Sequence, residues 1–168
     1  MINKILDNRL IMIFCFPFCF GALTVLSFQP FNFSYINFIL FPLFFSLIVF
    51  VSKRTKNIYR KRPYKKNLFF IGLMFGFGFY LSGIHWITYS LTFDESFKIL
   101  IPFALILIPL FLSLFMGLTI LIIGPFINYN ISSILLFSGS YAFSDFIRGK
   151  ILTGFPWNLI GYSWSWFT

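Results

Sequence analysis

Long apolar stretches separated by short polar ones set the pattern of this chain. A bilayer core of about 30 Å needs about 20 apolar residues in a helix. Five stretches qualify, over residues 10–28, 31–51, 68–90, 98–123 and 131–147. This spacing predicts an all-α membrane protein with about five transmembrane helices. The first stretch follows a short start carrying Lys4 and Arg9. It is long for a secretory h-region, and Ser27, Phe28, Gln29 and Pro30 make a poor cleavage site, so a retained helix is expected. Gln29 and Pro30 then predict a tight turn, because proline fixes φ and lacks an N–H. The second stretch opens on Asn32, Ser34 and Asn37, polar enough to predict a dip or a tilt.

Glycine and proline punctuate the later stretches. The third contains Gly72, Gly76, Gly78 and Gly83. Gly72 and Gly76 form a small-xxx-small pair, which lets a neighbouring helix approach closely. The fourth has Pro102 near its start and Pro109 inside, where a kink is expected. Gly124 and Pro125 end it. The fifth runs into Arg148 and Gly149.

Composition supports lipid as the solvent. The chain has 168 residues, 59% hydrophobic and 10% charged, against about a quarter charged in soluble domains. Aromatic residues make up 24%, with 28 Phe, and Phe inserts into bilayers nearly as well as Leu or Ile. The net charge of +9 would suggest nucleic acid if it were spread out. It is instead concentrated at Lys53, Arg54, Lys56, Arg60, Lys61, Arg62, Lys65 and Lys66. That cluster fits a cytoplasmic loop over residues 52–67 under the positive-inside rule, not a nucleic-acid surface. Counting outward from it puts the N-terminus in the cytoplasm. Asp94, Glu95 and the segment 148–163 then fall on the outer, periplasmic face.

Three groups of residues could carry chemistry. The segment 148–163 holds Arg148 and Lys150, which suit lipid phosphates. It also holds Thr153, Gly154, Phe155, Pro156 and Trp157, followed by Tyr162, with Trp164 and Trp166 just beyond. Gly154 and Pro156 predict an irregular backbone, tolerated near lipid only against protein or a wet cavity. An aromatic belt with a basic anchor is the simpler reading of the composition. Asp145 and Arg148, three apart at a helix exit, predict a structural ion pair. His85 and Trp86 close the glycine-rich stretch. His85 has no visible nucleophile or orienting carboxylate, so a hydrogen-bonded packing role is expected, with Trp86 at the outer interface. Cys15 and Cys19 share a helix face and are expected to pack as small apolar residues. Two thiols alone make no metal site, and no cofactor motif is present.

Three of these segments resemble one family. Arg148-Gly149, Leu152 to Trp157 and Gly161-Tyr162-Ser163 are similar to the most recognisable membrane motif of bacterial apolipoprotein N-acyltransferases. The helix ending in Ser82-Gly83-Ile84-His85-Trp86 resembles the third helix of that family. Gly21-Ala22-Leu23 through Phe28-Gln29-Pro30-Phe31 resembles its first hairpin. Asp145 stands where the family commonly has Glu, and His85 where it varies. The resemblance implies transfer of an acyl chain from a phospholipid donor to the diacylglyceryl-cysteine at a lipoprotein N-terminus. It implies an inner-membrane location and no cofactor. Arg148, Thr153, Gly154, Phe155, Pro156, Trp157 and Trp86 become candidate lipid-binding residues.

The family's chemistry resembles that of nitrilases, with a Glu-Lys-Cys set in a large outer-face domain after the helices. No residue here matches that set, since Cys15 and Cys19 lie in the first helix. The chain therefore reads as the N-terminal membrane portion, residues 1–168, without the catalytic domain, and is expected to be inactive alone. A separately encoded nitrilase-like domain is then an implied partner. The alternative is a non-catalytic membrane remnant or a subunit that binds lipid or a partner helix. A channel or transporter fragment fits poorly, because the acidic residues sit at helix ends.

Overall fold

A computed structural model describes residues 8–58, 64–151 and 158–167, without the side chains of 54–58 and 165–167. All regular structure among these residues is helical. The first helical run starts as a π-helical turn at Ile11–Cys15 and continues as α1, Phe16–Thr24. Pro17 accounts for the turn. It has no N–H for the regular i−4 bond, and the preceding Phe16 N–H already reaches back five residues to the Ile11 carbonyl. The run closes as a 3₁₀ turn at Val25–Ser27.

The connection at Gln29-Pro30 is a tight turn containing a cis peptide. Phe31 and Asn32 both donate to the Phe28 carbonyl at 3.0 Å. After a 3₁₀ turn at Ser34–Ile36, α2 spans Asn37–Ile58. The predicted loop at 52–67 is thus shorter than the charge pattern implied, since α2 carries on through Ile58 and α3, Tyr64–Ile84, begins before the third apolar stretch. Lys and Arg are good helix formers, and cations suit the C-terminal end of α2. Residues 59–63 lie outside the described segments.

A 3₁₀ hairpin, His85–Thr92 and Glu95–Leu100, links α3 to α4, Ile101–Ile123. Pro109 sits inside α4 without interrupting it. A short turn at Gly124–Phe126 leads to α5, Ile131–Ile151, and a 3₁₀ segment follows at Ile160–Phe167. Three helical runs are long and apolar enough to cross a membrane: Ser34–Lys53, Tyr64–Thr92 and Glu95–Phe126. Ile11–Ser27 is a shorter apolar helix. The fifth predicted span is a helix, but Asp145, Arg148, Lys150 and several serines keep it below that apolarity.

Helix α3 is the axis of the bundle, packed against α1, α2 and α4. Between helices in lipid the hydrophobic effect gives little drive, so close contact has to supply the stability. Glycine supplies it here. A side chain at Gly72 would strike the Met116 carbonyl, and one at Gly76 would strike Ser113, both on α4. The predicted small-residue pair therefore does face a neighbouring helix. A second crossing was not anticipated: Gly21 of α1 lies on the Phe75 carbonyl, and Gly78 lies on the Phe18 carbonyl. Aromatic rings fill the remaining core. Phe44 of α2 stacks on Phe75 with centroids 4.0 Å apart, and Phe137 of α5 meets Phe44 and Phe45 edge-on.

The bundle has two chemically different ends. At the basic end, Arg9 donates to Asn67 at 2.6 Å, Ser52 donates to the Gly124 carbonyl at 3.1 Å, and Lys53 lies over the Tyr129 ring. The opposite, aromatic end gathers the Ser27–Asn37 turn, the 85–100 hairpin, and the end of α5 with the segment after it.

Candidate functional site

The aromatic end is built around an ion pair buried inside the bundle. Tyr141, Asp145 and Arg148 recur at i, i+4 and i+7, which places them on one face of α5. That face turns inward. Arg148 Nη2 donates to Asp145 Oδ1 at 3.1 Å. The second oxygen, Asp145 Oδ2, accepts from the Ile160 N–H at 3.4 Å. Across the interface, the Arg148 guanidinium sits 5.1 Å from the centroid of the Tyr80 ring on α3, a cation–π contact strengthened by burial away from bulk solvent. Tyr141 packs edge-on against Phe41 of α2, with centroids 5.4 Å apart.

This placement changes the reading of Arg148. Its side chain is buried, so it does not stand at the surface as a free anchor for lipid phosphates. The exposed cation beside it is Lys150, whose ammonium lies 5.9 Å from the Phe146 ring centroid. Thr153, Gly154, Phe155, Pro156 and Trp157, the core of the predicted motif, lie outside the described residues. Their flanks are placed: Ile151 ends α5, and Asn158 packs its side chain onto Gly83 of α3.

The segment after the motif is pinned to α2. Ser34 Oγ donates to the Ser163 carbonyl, Asn37 Nδ2 donates to Ser163 Oγ at 3.3 Å, and Ser163 Oγ donates to the Ile160 carbonyl at 2.7 Å. Trp164 meets Phe38 edge-on at 5.4 Å. Below these contacts an apolar groove of about 750 Å³ runs between α2 and α5, walled by Phe38, Phe41, Phe45, Phe137, Ile160 and Trp164.

The hairpin at 85–100 is the most exposed part of this end. Trp86 is 51% exposed and Phe93 91%, as rings at a headgroup interface would be. His85 Nδ1 donates to the Ser82 carbonyl at 2.8 Å, so the expected hydrogen bond is present, but the residue is exposed rather than packed. Asp94 caps the second 3₁₀ turn by accepting from the Ser96 N–H, and Lys98 pairs with Glu95.

No nucleophile is assembled among the described residues. Cys15 and Cys19 are free and exposed rather than packed, because the opposite face of the first helical run carries Gly21 onto α3. No group of three or more His, Cys, Asp or Glu capable of holding a metal occurs among the described residues. The sequence reading missed Tyr80 and Tyr141. The i, i+4, i+7 stripe on α5 was the available signal for Tyr141, whereas Tyr80 joins it only through tertiary packing.

Comparison with known proteins agrees with the geometry of a membrane bundle. Residues 20–168 match the sequence profile described as the Apolipoprotein N-acyltransferase N-terminal domain. An apolipoprotein N-acyltransferase of Rhizobium etli is 34% identical over 145 residues, covering 84% of this chain and 26% of that protein. One from Brucella melitensis is 34% identical over 149 residues, covering 87% of this chain and 27% of its own length. A Rickettsia bellii relative is 36% identical over 96 residues, 56% of this chain and 19% of that protein. The chain thus spans about a quarter of the length of these relatives.

Proposed function

Because this chain belongs to the apolipoprotein N-acyltransferase family, we propose that it forms the N-terminal membrane part of such an enzyme. In this reading five helices cross the bacterial inner membrane, with the N-terminus and the basic end in the cytoplasm. The aromatic end faces the periplasm. The domain, residues 1–168, positions a phospholipid acyl donor and the diacylglyceryl-cysteine of a lipoprotein at the outer leaflet.

Thr153, Gly154, Phe155, Pro156 and Trp157 shape the lipid-facing mouth, and exposed Trp86 borders it from the 85–100 hairpin. Arg148 acts from below. Its pairing with Asp145, which also accepts from Ile160, holds both flanks of the 152–157 segment. The observation that carries the proposal is the profile match over residues 20–168, from within α1 to the C-terminal segment.

The acyl-transfer chemistry lies outside these residues. A thiolate is needed to take the acyl group as a thioester, and the two cysteines here sit on the exposed face of the first helix, away from the aromatic end. A nitrilase-like domain with the Glu-Lys-Cys set supplies that step. A non-catalytic, lipid- or partner-binding membrane protein is the alternative reading.

Complementation separates the two. The chain is expressed with and without a nitrilase-like domain in cells depleted of the acyltransferase, and triacylated lipoprotein is scored by mass spectrometry. Rescue only with the domain supports the proposal. Rescue by the chain alone refutes the assignment of chemistry elsewhere, and no rescue in either case favours the non-catalytic reading.

A further inference from the structure

The four polar side chains at the α3–α5 contact are more enclosed than their hydrogen bonds can account for. Tyr80 is 0% exposed, Arg148 1%, Tyr141 5% and Asp145 8%. Arg148 spends Nη2 on Asp145, but its Nε and Nη1 have no hydrogen-bond partner, and neither do the hydroxyls of Tyr80 and Tyr141. The site therefore holds several unpaired N–H and O–H groups around one carboxylate, each oxygen of which already accepts one bond, from Arg148 and from Ile160. Guanidinium nitrogens can only donate. A donor left bare in hydrocarbon carries its full desolvation cost, with no bulk water to relieve it.

We propose that Tyr80, Tyr141, Asp145 and Arg148 form an internal hydration site between α3 and α5, occupied by at least one bound water. The charge balance selects the ligand. Arg148 and Asp145 already cancel, so an added anion would leave an uncompensated charge in a low-dielectric interior. The two tyrosine hydroxyl oxygens could accept, but neither is paired with a guanidinium nitrogen, so what is missing is a small neutral group that bridges them. Water fits, because buried waters make roughly three hydrogen bonds to otherwise unsatisfied polar groups. Accepting from Arg148 and a tyrosine hydroxyl, it joins α3 to the inward face of α5. This assignment stands on the geometry of the cluster and holds whether or not the chain takes part in acyl transfer.

The test uses the full chain in lipid nanodiscs. Tyr141→Phe and Tyr80→Phe keep the ring and remove only the hydroxyl. Deleting a bare buried hydroxyl leaves stability unchanged or raises it, whereas deleting one that is bonded to water lowers it. Each substitution is expected to lower Tm by about 2–4 °C, the shift for one lost hydrogen bond in a chain of this size. Proton-detected solid-state NMR on ¹⁵N-arginine protein is expected to give a water cross-peak to one guanidinium Nε–H that shifts in Tyr141→Phe. An unchanged or raised Tm in both variants overturns the proposal, as does absence of that cross-peak. A Tm increase on adding inorganic phosphate, abolished by Tyr141→Phe, also overturns it by assigning the site to an anion.

Discussion

A single methyl group added to Gly21 probes how this bundle is held together. The new Cβ would lie 2.9 Å from the Phe75 carbonyl carbon and 2.9 Å from the Phe79 nitrogen, and closer still to the Phe75 oxygen. Ordinary contact for such atoms is about 3.5–4.0 Å, so clearing the Phe75 oxygen would require α1 and α3 to separate by more than about 1 Å. The atoms struck are backbone and cannot rotate aside. Overpacking costs ~1–3 kcal/mol, and a backbone clash belongs near the top of that range. Alanine recovers ~1 kcal/mol through its better helix propensity. The net expectation is a loss of ~2 kcal/mol, roughly a thirty-fold fall in the folded-to-unfolded ratio. Gly139→Ala is the control. Nothing lies within 4 Å of a Cβ at that position, so only propensity acts and stability should rise by up to ~1 kcal/mol. Reversible unfolding in mixed micelles, followed by tryptophan fluorescence, measures both. A Gly21→Ala variant as stable as the parent would refute the close crossing. An equal fall in Gly139→Ala would show that the assay reports something other than helix packing.

Other expectations follow from the same contacts. Asp145→Ala strands a buried guanidinium and should cost ~3–5 kcal/mol in the same unfolding assay; a change below 1 kcal/mol would mean that Arg148 reaches solvent. Ser34→Ala removes the donor to the Ser163 carbonyl and should cost ~1 kcal/mol. It should also raise amide exchange at residues 160–163, and unaltered exchange there would discount the pin. Cys15 and Cys19 lie on an exposed helix face that the proposed topology sets in the bilayer, so in nanodiscs an apolar maleimide should label them and a charged one should not. Labelling by the charged reagent would place that face in water.

The parts of the fold that were legible from sequence are those set by local pattern. Uninterrupted apolar length located the helices, and the four-residue spacing of Gly72 and Gly76 identified a face that does meet α4. The three-residue spacing of Asp145 and Arg148 identified a pair. What the pattern could not give was direction. Nothing in the sequence of α5 says whether its polar stripe looks toward lipid headgroups or into the bundle, because that depends on Tyr80, which lies over sixty residues earlier. The basic loop was drawn too long for a related reason. Charge ends a membrane span, but it does not end a helix. The lipid-binding candidates from Thr153 to Trp157 rest on resemblance, and the flanks held by Asp145 and Gly83 are what the structure adds.

The paired crossing of Gly21 and Gly78 also has a consequence in time. The two glycines lie 57 positions apart, and chains are made at about 5–20 residues per second. In the proposed topology, helix α1 therefore enters the bilayer several seconds before the α3 surface that its Gly21 face meets has been synthesised. During that interval its narrow face is open to any other helix with a small residue to offer. Biogenesis of this bundle thus depends on α1 remaining unclaimed until α3 arrives, a requirement that the insertion machinery or a membrane chaperone would have to meet.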